Sequence, residues 1–433
     1  MPNSNPTQST RRNFLKTSAA AAMAGSLTIG RSAHAAGDET LKVGLVGCGG
    51  RGTGAAANAL NVDENAKLTA MGDAFGDRLE GSLKGLEKKY EDRVTVDADH
   101  QFVGFDAHQK VIDSGVDVVI LTTPPHFRPM QLKAAIEAGK HVFCEKPVAV
   151  DGPGIRSVLE TAEKAKEKGL NIVSGLCWRY HPAVKETMQR VLDGDIGEVL
   201  SVQETYNTGT LWHRARQPEW TEMEFQMRNW LYFSWLSGDH NTEQHVHSLD
   251  KGSWVMGDQP PVRAWGLGGR QVRTDAKYGD IFDHHAVVYE YANGAKMHAY
   301  CRQMAGCWND VTETFDGTKG TCRVLGGYCI DGENEWRYRG KGGNMYDLEH
   351  VALFEAIRAG KPINNGHYMA VSSMLAIIGR MCTYTGQAIT WDQAINSQQS
   401  LSPASYSFEA DPPIMPDADG KYPVAVPGVT KLV

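Results

Sequence analysis

An apolar run, Leu41 to Val46, ends in Gly47-Cys48-Gly49-Gly50-Arg51-Gly52, and an Ala-rich stretch continues from Thr53 to Leu60. That order predicts strand, glycine turn and helix. The three glycines of the G-x-G-x-x-G spacing have separate tasks. Gly47 permits the tight turn, Gly49 lets the backbone approach a phosphate, and Gly52 lets the helix lie close to the strand with its N-terminus facing the anion. A second apolar strand, Lys67 to Met71, leads to Asp73. This lies about 20 residues past the last glycine, where a carboxylate meets ribose hydroxyls. A carboxylate there repels a 2′-phosphate, and the next residue is Ala74, so NAD is the expected cofactor over NADP.

Strand and helix patterns alternate to about residue 176. Phe75–Tyr90 and Gly152–Lys168 read as charged helices and Pro129–Ala138 as a third; 116–121, 141–144 and 171–176 read as buried strands. The expected fold is a doubly wound parallel sheet with its ligand cleft at the carboxyl ends of the strands. Beyond residue 180 strands follow strands. Ala286–Tyr291 and Ala295–Tyr300 flank Asn293-Gly294, a hairpin signal, so the second domain is α+β with a largely antiparallel sheet. Helices are expected over Asp347–Ala359 and about Tyr368–Tyr384, and a Pro-rich extended tail over 401–433. The predicted divisions are 1–36, 37–176, 177–400 and 401–433.

Residues 1–36 read as a leader, with Arg11-Arg12 in a twin-arginine signal, an Ala-rich stretch too short to span a bilayer, and a cleavage site at Ala33-His34-Ala35. The expected partner is the twin-arginine export machinery and the expected location the periplasm, without stable membrane insertion. A net charge of −7 and no basic block outside the leader give no support to a nucleic-acid partner. The eight cysteines show no C-x-x-C pair and no zinc spacing.

Glu145-Lys146-Pro147 follows one predicted strand, which places Lys146 in the cofactor cleft. Thr122-Thr123-Pro124-Pro125-His126 ends the preceding strand and would sit beside the nicotinamide ribose. With the glycine turn and Asp73, these motifs resemble the glucose–fructose oxidoreductase/inositol dehydrogenase family (Gfo/Idh/MocA). Arg179-Tyr180-x-Pro182 and Asp195-x-Gly197-Glu198-Val199 carry the resemblance through the second domain. The cofactor set so implied is Gly47, Gly49, Gly50, Gly52, Asp73, Arg78, Thr123, Pro124, His126, Glu145 and Lys146. The family's Asp-x-Gly-x-His-x-x-Asp motif corresponds to Glu243-Gln244-His245-Val246-His247-Ser248-Leu249-Asp250. His247 and Asp250 match; Glu243 replaces Asp, and His245 replaces Gly and crowds a place normally kept small.

Spacing reaches the same segment independently. On a helix begun at Gly238-Asp239 and stopped by Gly257–Pro261, His240, Glu243, His247 and Asp250 share one face. Glu243 and His247 with Asp250 or His240 would also suit a metal, but a second cation beside Lys146 is unfavourable, and no metal is expected. Oxidising a secondary alcohol needs a base for the hydroxyl proton, a role for neutral His247. Lys146 would stabilise the developing alkoxide and Glu243 would orient the His247 ring. Aromatics interleaved with arginines suit a sugar. The expected substrate set is Lys146, Arg179, Tyr180, Trp212, Arg214, Arg228, His245 and Asp250.

The function expected is that of a periplasmic NAD-dependent oxidoreductase acting on a sugar or cyclic polyol, redox-neutral if the cofactor stays bound. The alternative is an NAD-dependent glycosidase of the same fold working through a keto-sugar. A sugar-binding protein without activity is disfavoured by the intact Lys146 and His247. Self-association through the C-terminal sheet is left open.

Overall fold

The computed structural model describes residues 39–431, so the predicted leader lies outside the described residues. The first sheet contains β1 (Leu41–Val46), β2 (Ala66–Asp73), β3 (Gln101–Val103), β4 (Val118–Leu121), β5 (His141–Cys144) and β6 (Ile172–Ser174). All pairings are parallel, in the order β3-β2-β1-β4-β5-β6. Strand β4 accounts for the layering. Val118 and Ile120 join one core and Val119 and Leu121 the other, because successive side chains point to opposite faces. A strand buried on both faces needs helices on both sides. These are α1 (Gly50–Val62), α2 (Gly76–Tyr90), α3 (Ala107–Asp113), α4 (Arg128–Glu137) and α5 (Gly152–Glu167). Strand order reverses between β1 and β4, and the crevice opens there. The three-residue β3 has no alternation to betray it and was not among the expected strands.

After α6 (Pro182–Leu192) comes β7 (Val199–Thr208), then four short helices: α7 (Glu222–Arg228), α8 (Ser234–Ser237), α9 (His240–Glu243) and α10 (Val246–Val255). The second sheet adds β8 (Arg263–Gly269), β9 (His284–Glu290), β10 (Lys296–Gln303), β11 (Asp310–Gly317), β12 (Gly320–Arg323), β13 (Cys329–Gly332), β14 (Trp336–Arg337) and β15 (Ile389–Thr390). Its order is β14-β13-β12-β11-β7-β10-β9-β8-β15, antiparallel except for β7 with β10. Gly294, at φ +86°, closes the β9–β10 hairpin as its sequence predicts.

The chain then returns to the first domain. Helix α11 (Met345–Ala359) places Leu353, Phe354 and Ile357 in the same core as Ala55 of α1 and Phe143 of β5. Helix α12 (Gly366–Thr385), buried along almost its whole length, is followed by α13 (Trp391–Ile395). The stretch from 401 has no helix or strand, as expected, but it is more than a surface covering. Tyr406, Phe408 and Tyr422 join the aromatic cluster between the domains. Among the described residues no helix is long and apolar enough to cross a membrane, and the eight cysteines are unpaired, with only Cys307 exposed.

Candidate active site

A cleft of about 530 Å³ follows the carboxyl ends of β1, β2 and β4. The glycine turn forms its floor. Gly47 sits at φ +95°, and a Cβ there would lie 2.7 Å from the Thr123 amide nitrogen. Thr122 Oγ1 donates to the carbonyls of Val46 (2.9 Å) and Gly47 (2.7 Å) and holds the turn from the β4 side. Gly49 and Gly50 have nothing within 4 Å of where a Cβ would stand, so the cradle is open toward the cleft. The Asp73 carboxylate accepts from the Cys48 amide (2.6 Å) and the Phe75 amide (2.9 Å), which fixes it at the rim. These residues fit a dinucleotide: an open backbone turn for the pyrophosphate and an oriented carboxylate for a ribose. A Cβ at Gly52 would overlap the Gly47 carbonyl oxygen. Gly52→Ala is therefore expected to destroy NAD binding, read by isothermal titration; wild-type affinity in a folded variant would refute it.

Beyond the cleft stand the chemical groups. Lys146 Nζ donates to Glu243 Oε1 (3.0 Å) and to the Glu243 carbonyl (2.5 Å), and the two side chains are 12% and 16% exposed. The Lys146–Pro147 peptide is cis. The Nδ1 of His247 is buried without a partner. Burial first, then the cations Lys146, Lys251 and Arg51, hold the His247 pKa well below the usual histidine value, so the ring is neutral at pH 7. Tyr206 on β7 has its phenol pushed up to about 12 by burial and by Glu243. Lys146 and Glu243 thus meet, and Lys146 acts on His247 through its charge alone, without a hydrogen bond. The orienting role does not follow: Glu243 is bonded to Lys146 and makes no hydrogen bond to the His247 ring.

The single helical face also fails, for a local reason. Asp239 sits at φ +76°, α9 lasts four residues, and the His245 amide reaches back five residues to the His240 carbonyl before α10 restarts. That wide turn rotates the later residues. His240 contacts Asp239 Oδ1 (2.7 Å) and Cys301 Sγ (3.5 Å) in the interior. Asp250 accepts from Arg179 Nε (2.9 Å) and Ser372 (2.8 Å). Arg179 also bonds Asp258 and stacks 3.9 Å over the Tyr368 ring, so Arg179 and Asp250 form a buried clamp outside the lining of the dinucleotide cleft. Tyr180 donates to Asn365 (2.7 Å). His245 is buried, with Nδ1 3.0 Å from Asn241 Oδ1, and does not line the cleft. Neither Asp250 nor His240 joins Glu243 and His247 in a ligand set. Among the described residues the one group with ligand spacing is Asp239, His240 and His285. Its carboxylate already accepts from the His240 and Phe282 amides and from the Tyr384 hydroxyl.

Of the predicted cofactor set, the four glycines, Asp73, Arg78, Thr123 and Pro124 line the cleft. His126 does not: its Nε2 is 2.8 Å from the Tyr406 hydroxyl, and burial lowers its pKa to about 4. Glu145 takes the Arg51 Nε and the Lys146 amide (3.1 Å) and acts as a brace behind the cleft. Arg51, not singled out from the sequence, also bonds Glu349 of α11 (2.9 Å) and lies under the Tyr346 ring. Trp212, Arg214 and Arg228, expected on the substrate, line the dinucleotide cleft on the side of Phe75 and Arg78.

Residues 41–172 match the model of the oxidoreductase family with an NAD-binding Rossmann fold, GFO_IDH_MocA. This segment is a Gfo/Idh/MocA domain. Residues 8–28 match the twin-arginine translocation signal, a sequence that directs export across a membrane. Sequence relatives of the chain include the inositol 2-dehydrogenase of Salmonella paratyphi B, 25% identical over 75% of this chain and 88% of that protein. Another is the 2,7-anhydro-N-acetylneuraminate hydratase of Escherichia coli, 24% identical over 66% of this chain and 67% of that one. The aldose-aldose oxidoreductase of Caulobacter crescentus has the same fold, with a TM-score of 0.64 and 18% identity over 81% of this chain and all of that one (100%). The NAD-binding fold and oxidoreductase class expected from the motifs therefore stand.

Proposed function

We propose that this protein is a periplasmic oxidoreductase that exchanges hydride with a secondary hydroxyl of a sugar or cyclic polyol and keeps its NAD through a redox-neutral cycle. The observation that supports this reading is the Lys146–Glu243 pair at the carboxyl edge of the nucleotide sheet, with a neutral His247 within reach of the Lys146 charge. Bound NAD would supply the hydride acceptor and donor. Neutral His247 takes the hydroxyl proton. The Lys146 ammonium, fixed by Glu243, holds the hydroxyl oxygen and stabilises negative charge as the proton leaves.

The redox-neutral part rests on the leader and on a relative's name. An exported enzyme meets no cytoplasmic system to regenerate its cofactor, so it must return each hydride it takes. A relative named as a hydratase carries out, by that name, a conversion without net redox change. The same consideration favours the second reading, glycoside cleavage. There the ring hydroxyl is oxidised, the aglycone is eliminated from the keto-sugar, water adds across the double bond so formed, and the ketone is reduced again. The test incubates purified protein with polyols, with paired sugars and with nitrophenyl glycosides, with and without added NAD. Turnover without added NAD and without NADH accumulating is expected. Nitrophenol release would select the glycosidase. NADH accumulating in proportion to product, with an absolute need for added NAD, would return the reading to a simple dehydrogenase.

A further inference from the structure

The loop between β7 and α7, residues 209–221, carries two side chains into the lining of the dinucleotide cleft, Trp212 and Arg214. The loop is held there by buried groups. Fully buried Asn229 accepts from the Arg214 amide (2.8 Å) and donates to the Arg214 carbonyl (3.1 Å), while the Tyr232 hydroxyl donates to the Trp212 carbonyl (2.9 Å). The neighbouring Arg228 is neutralised by Asp77 (3.1 Å) and Glu224 (2.8 Å). Arg214 has no ion pair among the described residues; its guanidinium lies 5.6 Å over the Trp212 ring. Burial and the nearby Arg78 and Arg228 lower its pKa, and Asp77, which is paired with Arg228, offsets them only in part. The cleft holds both this charge and the glycine turn, and its lining does not include Lys146, Glu243 or His247. Arg214 and Trp212 thus share a cleft with Asp73 and the glycine turn, apart from Lys146, Glu243 and His247.

The aromatic part of the same lining is backed by the tail. Phe75, Phe105 and Phe127 line the cleft. Phe408 packs on Phe75 and Phe105 with ring centroids 5.4 and 5.0 Å apart, and Tyr406 packs on Phe105 and Phe127 at 6.1 and 5.8 Å. The tail is fastened to both domains: the Leu401 amide donates to Asp151 (3.0 Å), and the Tyr422 hydroxyl donates to Glu222 of α7 (2.5 Å).

We propose that the second domain completes the dinucleotide site, with Trp212 and Arg214 on the adenosine and phosphate half of NAD and the tail bracing that enclosure, so that bound cofactor exchanges slowly. This rests on the cofactor-retaining reading above. It predicts that retention is set by residues remote from the chemistry. The test uses the full mature chain carrying NAD, chased with isotopically labelled NAD. The wild type should retain its dinucleotide through gel filtration. Arg214→Ala, Trp212→Ala and the double variant Tyr406→Ala/Phe408→Ala should each speed exchange at least about tenfold. Arg214→Lys should restore part of the retention, and Lys146→Ala should exchange at the wild-type rate. Arg214 and Trp212 are exposed on their outer side, so their variants should fold; thermal melting verifies it. Wild-type exchange rates in Arg214→Ala and Trp212→Ala, or a wild type that empties on gel filtration, would overturn the proposal. A raised sugar KM with unchanged exchange would place the two residues on the substrate instead. NADH accumulation is measured separately: it would defeat the redox-neutral cycle while leaving the exchange rates to decide this enclosure.

Discussion

His247→Ala should lower kcat by about 10²–10⁴-fold, the usual worth of a positioned general base, and Lys146→Ala should cost at least about 10²-fold. Both variants should still bind NAD, because neither residue lines the dinucleotide cleft. Steady-state rates together with cofactor titration separate the two effects. Glu243→Gln should cost less, since it only loosens the grip on the Lys146 ammonium. A pH profile adds a second reading. The base must be unprotonated to act, and the pKa of His247 is held well below its ordinary value. Activity is then lost only as pH falls through that depressed pKa, so kcat/KM should stay level below the usual histidine range, about 6.5. An acid limb centred near that value, or a His247→Ala variant with most of its kcat, would remove His247 as the base. Tyr206 would be the next candidate.

The second large effect is structural. Arg179→Ala should destabilise the protein by about 3–5 kcal/mol, the usual cost of breaking a buried ion pair from one side. The Arg179 side chain is 8% exposed and Asp250 1%, and the same guanidinium also serves Asp258. Truncating it leaves Asp250 in the interior with only Ser372 as a side-chain partner. Burial already raises the Asp250 pKa despite the arginine. Adding Asp250→Asn to Arg179→Ala should therefore recover part of the loss, a non-additivity expected of contacting groups. Denaturant titration of the two single variants and the double one measures it. Unchanged stability with a raised KM would put Arg179 back in the substrate site.

The contrast between these predictions marks what the chain discloses in one dimension. Gly47, Gly52, Asp73 and Lys146 were legible because each has a local cause: a turn, a close approach, the end of a strand. Glu243 and His247 were legible as chemistry but not as geometry. The periodic argument assumed an unbroken helix from Asp239, and the positive φ of Asp239 and the wide turn at His245 invalidate it. Arg179 and His126 have the residue types of a binding site, yet their partners, Asp258 and Tyr406, lie 79 and 280 positions away. Trp212 and Arg214 were singled out for their composition alone. Only the crossing of the domains reveals which end of the cleft they line.

The return of α11 to the first domain has a consequence for the order of synthesis. The glycine turn leaves the ribosome early, but Glu349, which grips Arg51 within it, is made some 300 residues later. Asn58 and Asp63 of the same region also wait for partners on α11, Asp347 (2.7 Å) and Arg358 (2.6 Å). Until then the surface that Leu353, Phe354 and Ile357 will cover is bare. The nucleotide half therefore cannot mature ahead of the rest, as N-terminal domains commonly do. A fragment ending near residue 176 should be sticky and a poor NAD binder, although it contains the whole parallel sheet. A leader read by machinery that carries folded cargo suits such a chain, whose first domain is finished only when almost all of it has been made.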